Sequence, residues 1–251
     1  MKPAAQWPFL LAIFQPSPIL SPHCVLFHIG FILSAYELQI ESIAPVQSVP
    51  TSHTVRLHPF KIDSTQYLAV VNFKSLTGDY KTMSEIYKLV AGNFSLVQQF
   101  PTSGCVDFEF AKLSMESYAV FVENVGTNWL GIESYSQSFH LYKHLKQSLN
   151  AKEFQYSSNV GMRGGMKVKA FVHRNKNYFV AANSFSDNGN KHNTKSSLYL
   201  KTQFGFLLVQ QFETHGAQDA EVFQIGGLMY IAFANYKDNE QRVDIYSTVY
   251  R

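Results

Sequence analysis

From about residue 65 onward, short runs of aromatic and β-branched residues alternate with clusters of Gly, Asn, Asp and Ser. Four of these runs align: QYLAVVNF (66–73), SYAVFVEN (117–124), NYFVAANS (177–184) and MYIAFANY (229–236). Each opens on a tyrosine, Tyr67, Tyr118, Tyr178 and Tyr230, at separations of 51, 60 and 52 residues. A polar loop follows each, then a second run: SEIYKLV, SFHLYKH, SSLYLKT and VDIYSTV, carrying Tyr87, Tyr142, Tyr199 and Tyr246. A third run is plain in GNFSLVQQF (92–100) and FGFLLVQQF (204–212) and weaker in AKEFQYSSN (151–159). Short β-prone runs bounded by turn residues predict strands, and no window carries a helical period. A unit of about 50 residues with four strands predicts a β-propeller blade. One such sheet cannot bury both of its faces, so blades must stack.

A polar signal precedes each tyrosine. Fourteen residues ahead stand His53, Gly104, Gly164 and Gly216, opening HTVRLHPF, GCVDFEFA, GGMKVKAF and GAQDAEVF. The lead-ins VPTS (49–52) and FPTS (100–103) agree as well. Two positions in this motif carry charge. They read Arg56/His58, Asp107/Glu109, Lys167/Lys169 and Asp219/Glu221. Residues i and i+2 of a strand share a face, so each repeat presents a local patch of one sign. Paired carboxylates can be general acid and base only where they converge on one bond. Here two of four repeats put cations in the same slot, which argues for a structural position. The alternation of sign predicts that Asp107 and Glu109 meet cations of adjacent repeats, and that Asp219 and Glu221 meet Lys167 and Lys169. The competing reading is drift at a solvated turn. The four tyrosines begin the inner strands. They are expected to pack blade on blade with buried rings and bonded hydroxyls, or else to anchor a ligand on an open face.

Composition narrows the classes. The chain has 251 residues, 46% of them hydrophobic, enough for a sizeable core. A net charge of +3 without a basic run gives no footprint for nucleic acid. The two cysteines, Cys24 and Cys105, cannot build a zinc site. Whether they pair or stay as thiols is open at this level. Residues 1–36 are apolar, with Pro16, Pro18 and Pro22 interrupting them and CVLFHIGFILSAY (24–36) closing them. That run is short for a membrane span and suits the apolar centre of a degenerate signal peptide; packed or disordered sequence is the alternative. Residues 37–52 read as the tail of a preceding blade, and 53–251 as the repeats, the last one incomplete. Asn93-Phe94-Ser95 is a glycosylation sequon beside a hairpin turn.

Other constellations carry less. SFSDNGNKHNTKSS (184–197) lacks the spaced acids and closing Glu of a calcium loop. GMRGG (161–165) lacks the Lys-Ser/Thr and helix of a phosphate loop. No elbow frames a nucleophilic serine. No cofactor or metal site is expected. The loops 74–83, 125–137, 184–195 and 236–242 differ in length while the strands do not, as recognition loops on a constant scaffold would.

Taken together, QYLAVVNF, SEIYKLV, FSLVQQFPTSGCVDFEF and FLLVQQFETHGAQDAEVF resemble the epilepsy-associated repeat, also called EAR or EPTP. The resemblance covers about residues 45–251. It implies a seven-bladed β-propeller, here represented by about four repeats. It implies a secreted or cell-surface protein that binds other proteins and has no enzymatic activity. The leucine-rich glioma-inactivated proteins carry this repeat and bind disintegrin-type receptors. Relatives with a laminin G region, absent here, imply a Notch-related role. The repeat encodes no receptor-contact residue, so the partner-binding residues are unknown. Departures from the pattern fall at Arg56, His58, Lys167, Lys169 and Cys105.

The expectation is therefore an all-β, propeller-type interaction module for a receptor or matrix protein, with no small-molecule substrate. A propeller lyase or glycosidase with an acidic site is the alternative enzyme class, and a truncated non-functional fragment the third.

Overall fold

The computed structural model describes residues 45, 47–128, 130–146, 152–187 and 191–251. The candidate signal peptide, Cys24 and residues 37–44 lie outside them. The described strands pair only antiparallel with their sheet neighbours. No helix appears among the described residues.

The first sheet runs β1 (Thr54–Ile62), β2 (Thr65–Asn72), β3 (Lys81–Val90) and β4 (Asn93–Ser103) in that order. The second is built from β5 (Cys105–Lys112) and β6 (Ser117–Glu123). A two-residue ribbon, β7 (Gly126–Thr127) with β8 (Glu133–Ser134), interrupts it before β9 (Ser138–His144) and β10 (Phe154–Gly161) complete it. The third holds β11 (Gly165–His173), β12 (Lys176–Asn183), β13 (Ser196–Thr202) and β14 (Gly205–Phe212). The fourth has three strands, β15 (Asp219–Ile225), β16 (Leu228–Ala234) and β17 (Thr248–Tyr250). The fold is thus all-β, with blade-type sheets of the propeller kind.

The sheets stack in chain order, and each junction encloses its own apolar cluster. Phe60, Tyr67, Ile86, Phe100, Phe108 and Phe121 lie between the first and second sheets. Tyr118, Val120, Leu141, Val168 and Phe179 lie between the second and third. Val180, Phe212, Ala220 and Phe233 lie between the third and fourth. Burying each Phe, Val or Leu contributes roughly 1.5–3 kcal/mol, so the junctions carry the stability that isolated sheets lack. Aromatic edge contacts such as Phe100–Tyr142, with ring centroids at 4.7 Å, add shape specificity.

The first strands of successive sheets are neighbours: β1 beside β5, β5 beside β11, and β11 beside β15. The motif strands are therefore the innermost. The tyrosine strands, expected as the inner ones, are second in each sheet. The fourth repeat needs a further correction. Tyr87, Tyr142 and Tyr199 sit opposite Leu68, Ala119 and Phe179, each one residue past the leading tyrosine. In the fourth sheet the residue opposite Ile231 is Tyr250. Tyr246 is 92% exposed and lies before the strand. The chain instead makes a turn at Asp238, whose carboxylate accepts from the Arg242 N–H at 3.0 Å and from Arg242 Nε at 2.6 Å.

Candidate functional site

The glycine of the motif explains its own position. Gly104 has φ +52, and a Cβ there would come within 1.9 Å of the Val125 carbonyl oxygen. Only glycine meets both conditions without strain. Gly164 and Gly216 repeat the geometry at φ +54 and +55. In the first repeat His53 adopts φ 45 instead. Each of these three glycines donates its N–H to a loop of the preceding sheet: to Tyr80 at 3.0 Å, Tyr135 at 2.7 Å and His192 at 2.6 Å. A bulge follows at Thr54/Arg56, Cys105/Asp107 and Gly165/Lys167, and it re-aims the charged slot.

That slot is an ion ladder along the innermost strands. Asp107 Oδ1 lies 3.0 Å from Arg56 Nε and 3.1 Å from Lys167 Nζ. Lys169 Nζ lies 3.6 Å from Glu109 and 3.7 Å from Glu221. Every such pair joins different sheets. Asp107 has no exposed surface, so the slot is no solvated turn in the second repeat. Burial pushes its carboxyl above the ordinary carboxylate range, while Lys167 and Arg56 pull it down. Burial raises Glu109 in the same way, against Lys169 and Lys167. Burial alone would lower the Lys169 ammonium, but Glu109, Glu221 and Asp107 outweigh it and hold the pKa above its usual value. Burial, then Lys167, Lys169 and Arg56, lower His58. Asp219 stands apart from the ladder and accepts from the Ala220 N–H at 2.9 Å.

The tyrosines divide in two. Tyr67 and Tyr118 are buried, and their hydroxyls donate to Glu153 at 2.7 Å and to Glu116. Tyr178 and Tyr230 are half-exposed and stack on Phe171 and Phe223. The expected burial thus does not extend to those two. Asn93 is exposed at the β3–β4 hairpin. Cys105 is buried and free, its thiol pushed far up by burial first and then by Glu123 and Asp107.

A further repeated column carries as much structure as the charged slot. Asn72, Asn183 and Asn235 end the tyrosine runs. Each side-chain oxygen accepts from the backbone ahead of the motif glycine position: from Ser52 at 3.3 Å, Arg163 at 3.2 Å and His215 at 2.9 Å. Each amide donates across the sheet, to Met83 at 2.8 Å, Lys195 at 2.7 Å and Tyr246 at 2.9 Å. In the second repeat Glu123 takes the place, accepting from Ser103 at 2.7 Å and pairing with His140 at 3.2 Å. The signal was a polar residue closing each apolar run.

The four variable loops are brought together on one end of the sheets and are bonded in sequence. Tyr80 donates its hydroxyl to Glu133. Asp187 accepts from Ser134 Oγ at 2.9 Å and the Tyr135 N–H at 2.8 Å, and Tyr135 packs on Phe185 at 4.6 Å. Asn239 accepts from the His192 and Asn193 N–H groups at 2.9 and 3.0 Å. The result is a continuous rim that leaves Leu76, Leu130, Ile132 and Tyr236 exposed, at 84%, 58%, 59% and 52%. A polar cleft of about 500 Å³ opens between the second and third repeats, lined in part by Arg163, Asn193, Lys195, Tyr199 and Gln211. Among the described residues, no carboxylate lines it. Among the described residues, no group of three or more His, Cys, Asp or Glu is placed to hold a metal ion.

The comparison with protein families decides on the C-terminal part. Residues 205–251 match the EPTP domain. The match begins on β14 and runs through β17, so the EPTP unit joins the outer strand of one sheet to the inner strands of the next. This is consistent with the EAR/EPTP repeat read from the sequence. Among curated proteins no match was found. One similar solved structure is the GH43_1 enzyme from Xanthomonas citri complexed with xylotriose, at 8% identity and a TM-score of 0.45. The likeness covers 72% of this chain and 66% of that one, just under two thirds of its length.

Proposed function

We propose that this chain is a non-enzymatic protein-interaction module that meets a cell-surface receptor or matrix protein through its loop rim. The observation that carries this reading is the rim itself: four loops of unequal length, bonded one to the next, with Leu76, Leu130, Ile132 and Tyr236 exposed along them. Apolar side chains framed by a polar rim are the anatomy of protein–protein interfaces. The EPTP match supports an interaction role. The closed ladder supports the same choice against a lyase or glycosidase, because Asp107 has no surface to offer a substrate and is held between two cations.

A secreted or surface setting, with a Notch-related role, belongs to this proposal. The exposed Asn93 is accessible to a glycan in that setting. Binding of the labelled full chain to cultured cells tests the reading. Leu76→Asp with Ile132→Asp should abolish binding and leave the melt cooperative. Retained binding, or hydrolysis of a polysaccharide lost on Asp219→Ala, would overturn it.

A further inference from the structure

The internal repeat shows what each sheet face is built to meet. In the column Leu57, Phe108, Val168 and Ala220, the last three face the preceding sheet. Phe108, Val168 and Ala220 are buried there, at 0%, 0% and 1% exposed. Leu57 is 56% exposed. The opposite face follows the same rule. In the second sheet Val120 and Leu141 are cross-strand partners, and both are fully buried under the third. Their counterparts in the fourth sheet, Ala232 and Val249, are also cross-strand partners, and Val249 is 59% exposed.

Charge and amide contacts say what fits. Every charged contact between slots joins opposite signs, and Lys169 serves a carboxylate on each side. Of the four described sheets, the last carries Asp219 and Glu221, both exposed, and the first carries Arg56 and His58. The last face carries two carboxylates where the first carries the Arg56 guanidinium. A glutamine clamp marks the outer strands. Gln98 of β4 accepts from the Phe154 N–H at 3.2 Å and donates to the Phe154 carbonyl at 3.0 Å. Gln47 holds Phe94 in the same way, at 2.7 and 2.8 Å. The segment around Gln47 thus sits on the first sheet as β4 sits on the second. Gln210, at the matching place on β14, is exposed.

We propose that copies of this chain associate head to tail, the first sheet of one docking on the fourth sheet of the next. Arg56 and His58 lie across from Asp219 and Glu221, and Leu57 covers Ala232 and Val249. The clamp of Gln210 receives the backbone of the incoming segment that carries Gln47. A heterologous contact of this kind closes into a ring or propagates as a filament. The faces involved are distinct from the loop rim, so this inference stands or falls apart from the receptor-binding proposal.

Sedimentation velocity of the full chain tests it. The sedimenting mass should rise with concentration and fall as salt is added. Leu57→Asp blocks the head and Val249→Asp blocks the tail. Both sites are exposed, so both variants should keep a cooperative melt. Each alone should run as a monomer, with self-association weakened roughly tenfold or more. Mixed one to one, they should form a dimer and stop there, because one retains a working tail and the other a working head. A wild-type chain that stays monomeric at every concentration would overturn the proposal and leave the end faces to further blades or another protein. So would self-association in either variant, or a mixture that fails to pair.

Discussion

Two repeats carry the same acids in the same slot. In the second, Asp107 has no exposed surface and touches Arg56 and Lys167. In the fourth, Glu221 keeps 58% of its side chain in solvent and reaches one cation at 3.7 Å. The tyrosines divide in the same way, Tyr118 buried and bonded, Tyr230 half-exposed. The local sequence is nearly the same; the neighbours differ. What a motif residue contributes is set by whether a sheet lies on both sides of it.

The sharpest way to break this contrast is to remove a cation. Lys167→Met leaves the Asp107 carboxylate buried with Arg56 alone and should cost about 3–5 kcal/mol in urea unfolding. Lys169→Met, whose contacts to the mostly buried Glu109 and the exposed Glu221 are longer, at 3.6 and 3.7 Å, should cost less, about 2 kcal/mol. The pH dependence has a fixed sign. Asp107 and Glu109 have folded pKa values raised above the unfolded ones. The stability they contribute is fully present below the ordinary carboxylate pKa and is lost as pH rises through the folded value. The Lys167→Met deficit should therefore shrink in acid, where Asp107 holds its proton, and grow toward neutral pH.

Next comes the turn. Gly104→Ala forces a Cβ into the Val125 carbonyl at positive φ and should cost about 3 kcal/mol. His53→Ala, at the same place in the first repeat, replaces an exposed non-glycine residue and should stay within about 0.5 kcal/mol. The amide column gives a smaller contrast. Asn183→Ala removes bonds to Arg163 and Lys195 at a buried position and should cost about 2 kcal/mol. Asn235→Ala, in the half-exposed fourth sheet, should cost about half as much. Smallest is the hydroxyl. Tyr118→Phe should lose about 1 kcal/mol and Tyr230→Phe next to nothing in the same assay.

Much of the architecture was legible in the chain. Tyrosine spacing and alternating runs announce the sheets, and sign alternation at 56/58, 107/109, 167/169 and 219/221 announces which repeats are neighbours. The failures have physical causes. VDIYSTV looks like a strand with Tyr246 in place, but the Asp238–Arg242 turn and the Asn235–Ser247 bond at 3.3 Å shift pairing four residues on, to Tyr250. The rim network was out of reach because its partners, such as Tyr135 and Asp187, come from loops of different length with no shared spacing. The amide column was visible in the alignment as Asn72, Glu123, Asn183 and Asn235, yet its meaning depends on backbone partners that periodicity does not reveal.

The central claim is that the slot couples sheets and catalyses nothing. A double-mutant cycle on Asp107→Asn and Lys167→Met, measured by urea unfolding at neutral pH, addresses it directly. A ladder predicts a coupling energy of about 2 kcal/mol or more between the two positions. Additive losses, with no coupling across the second and third sheets, would contradict it.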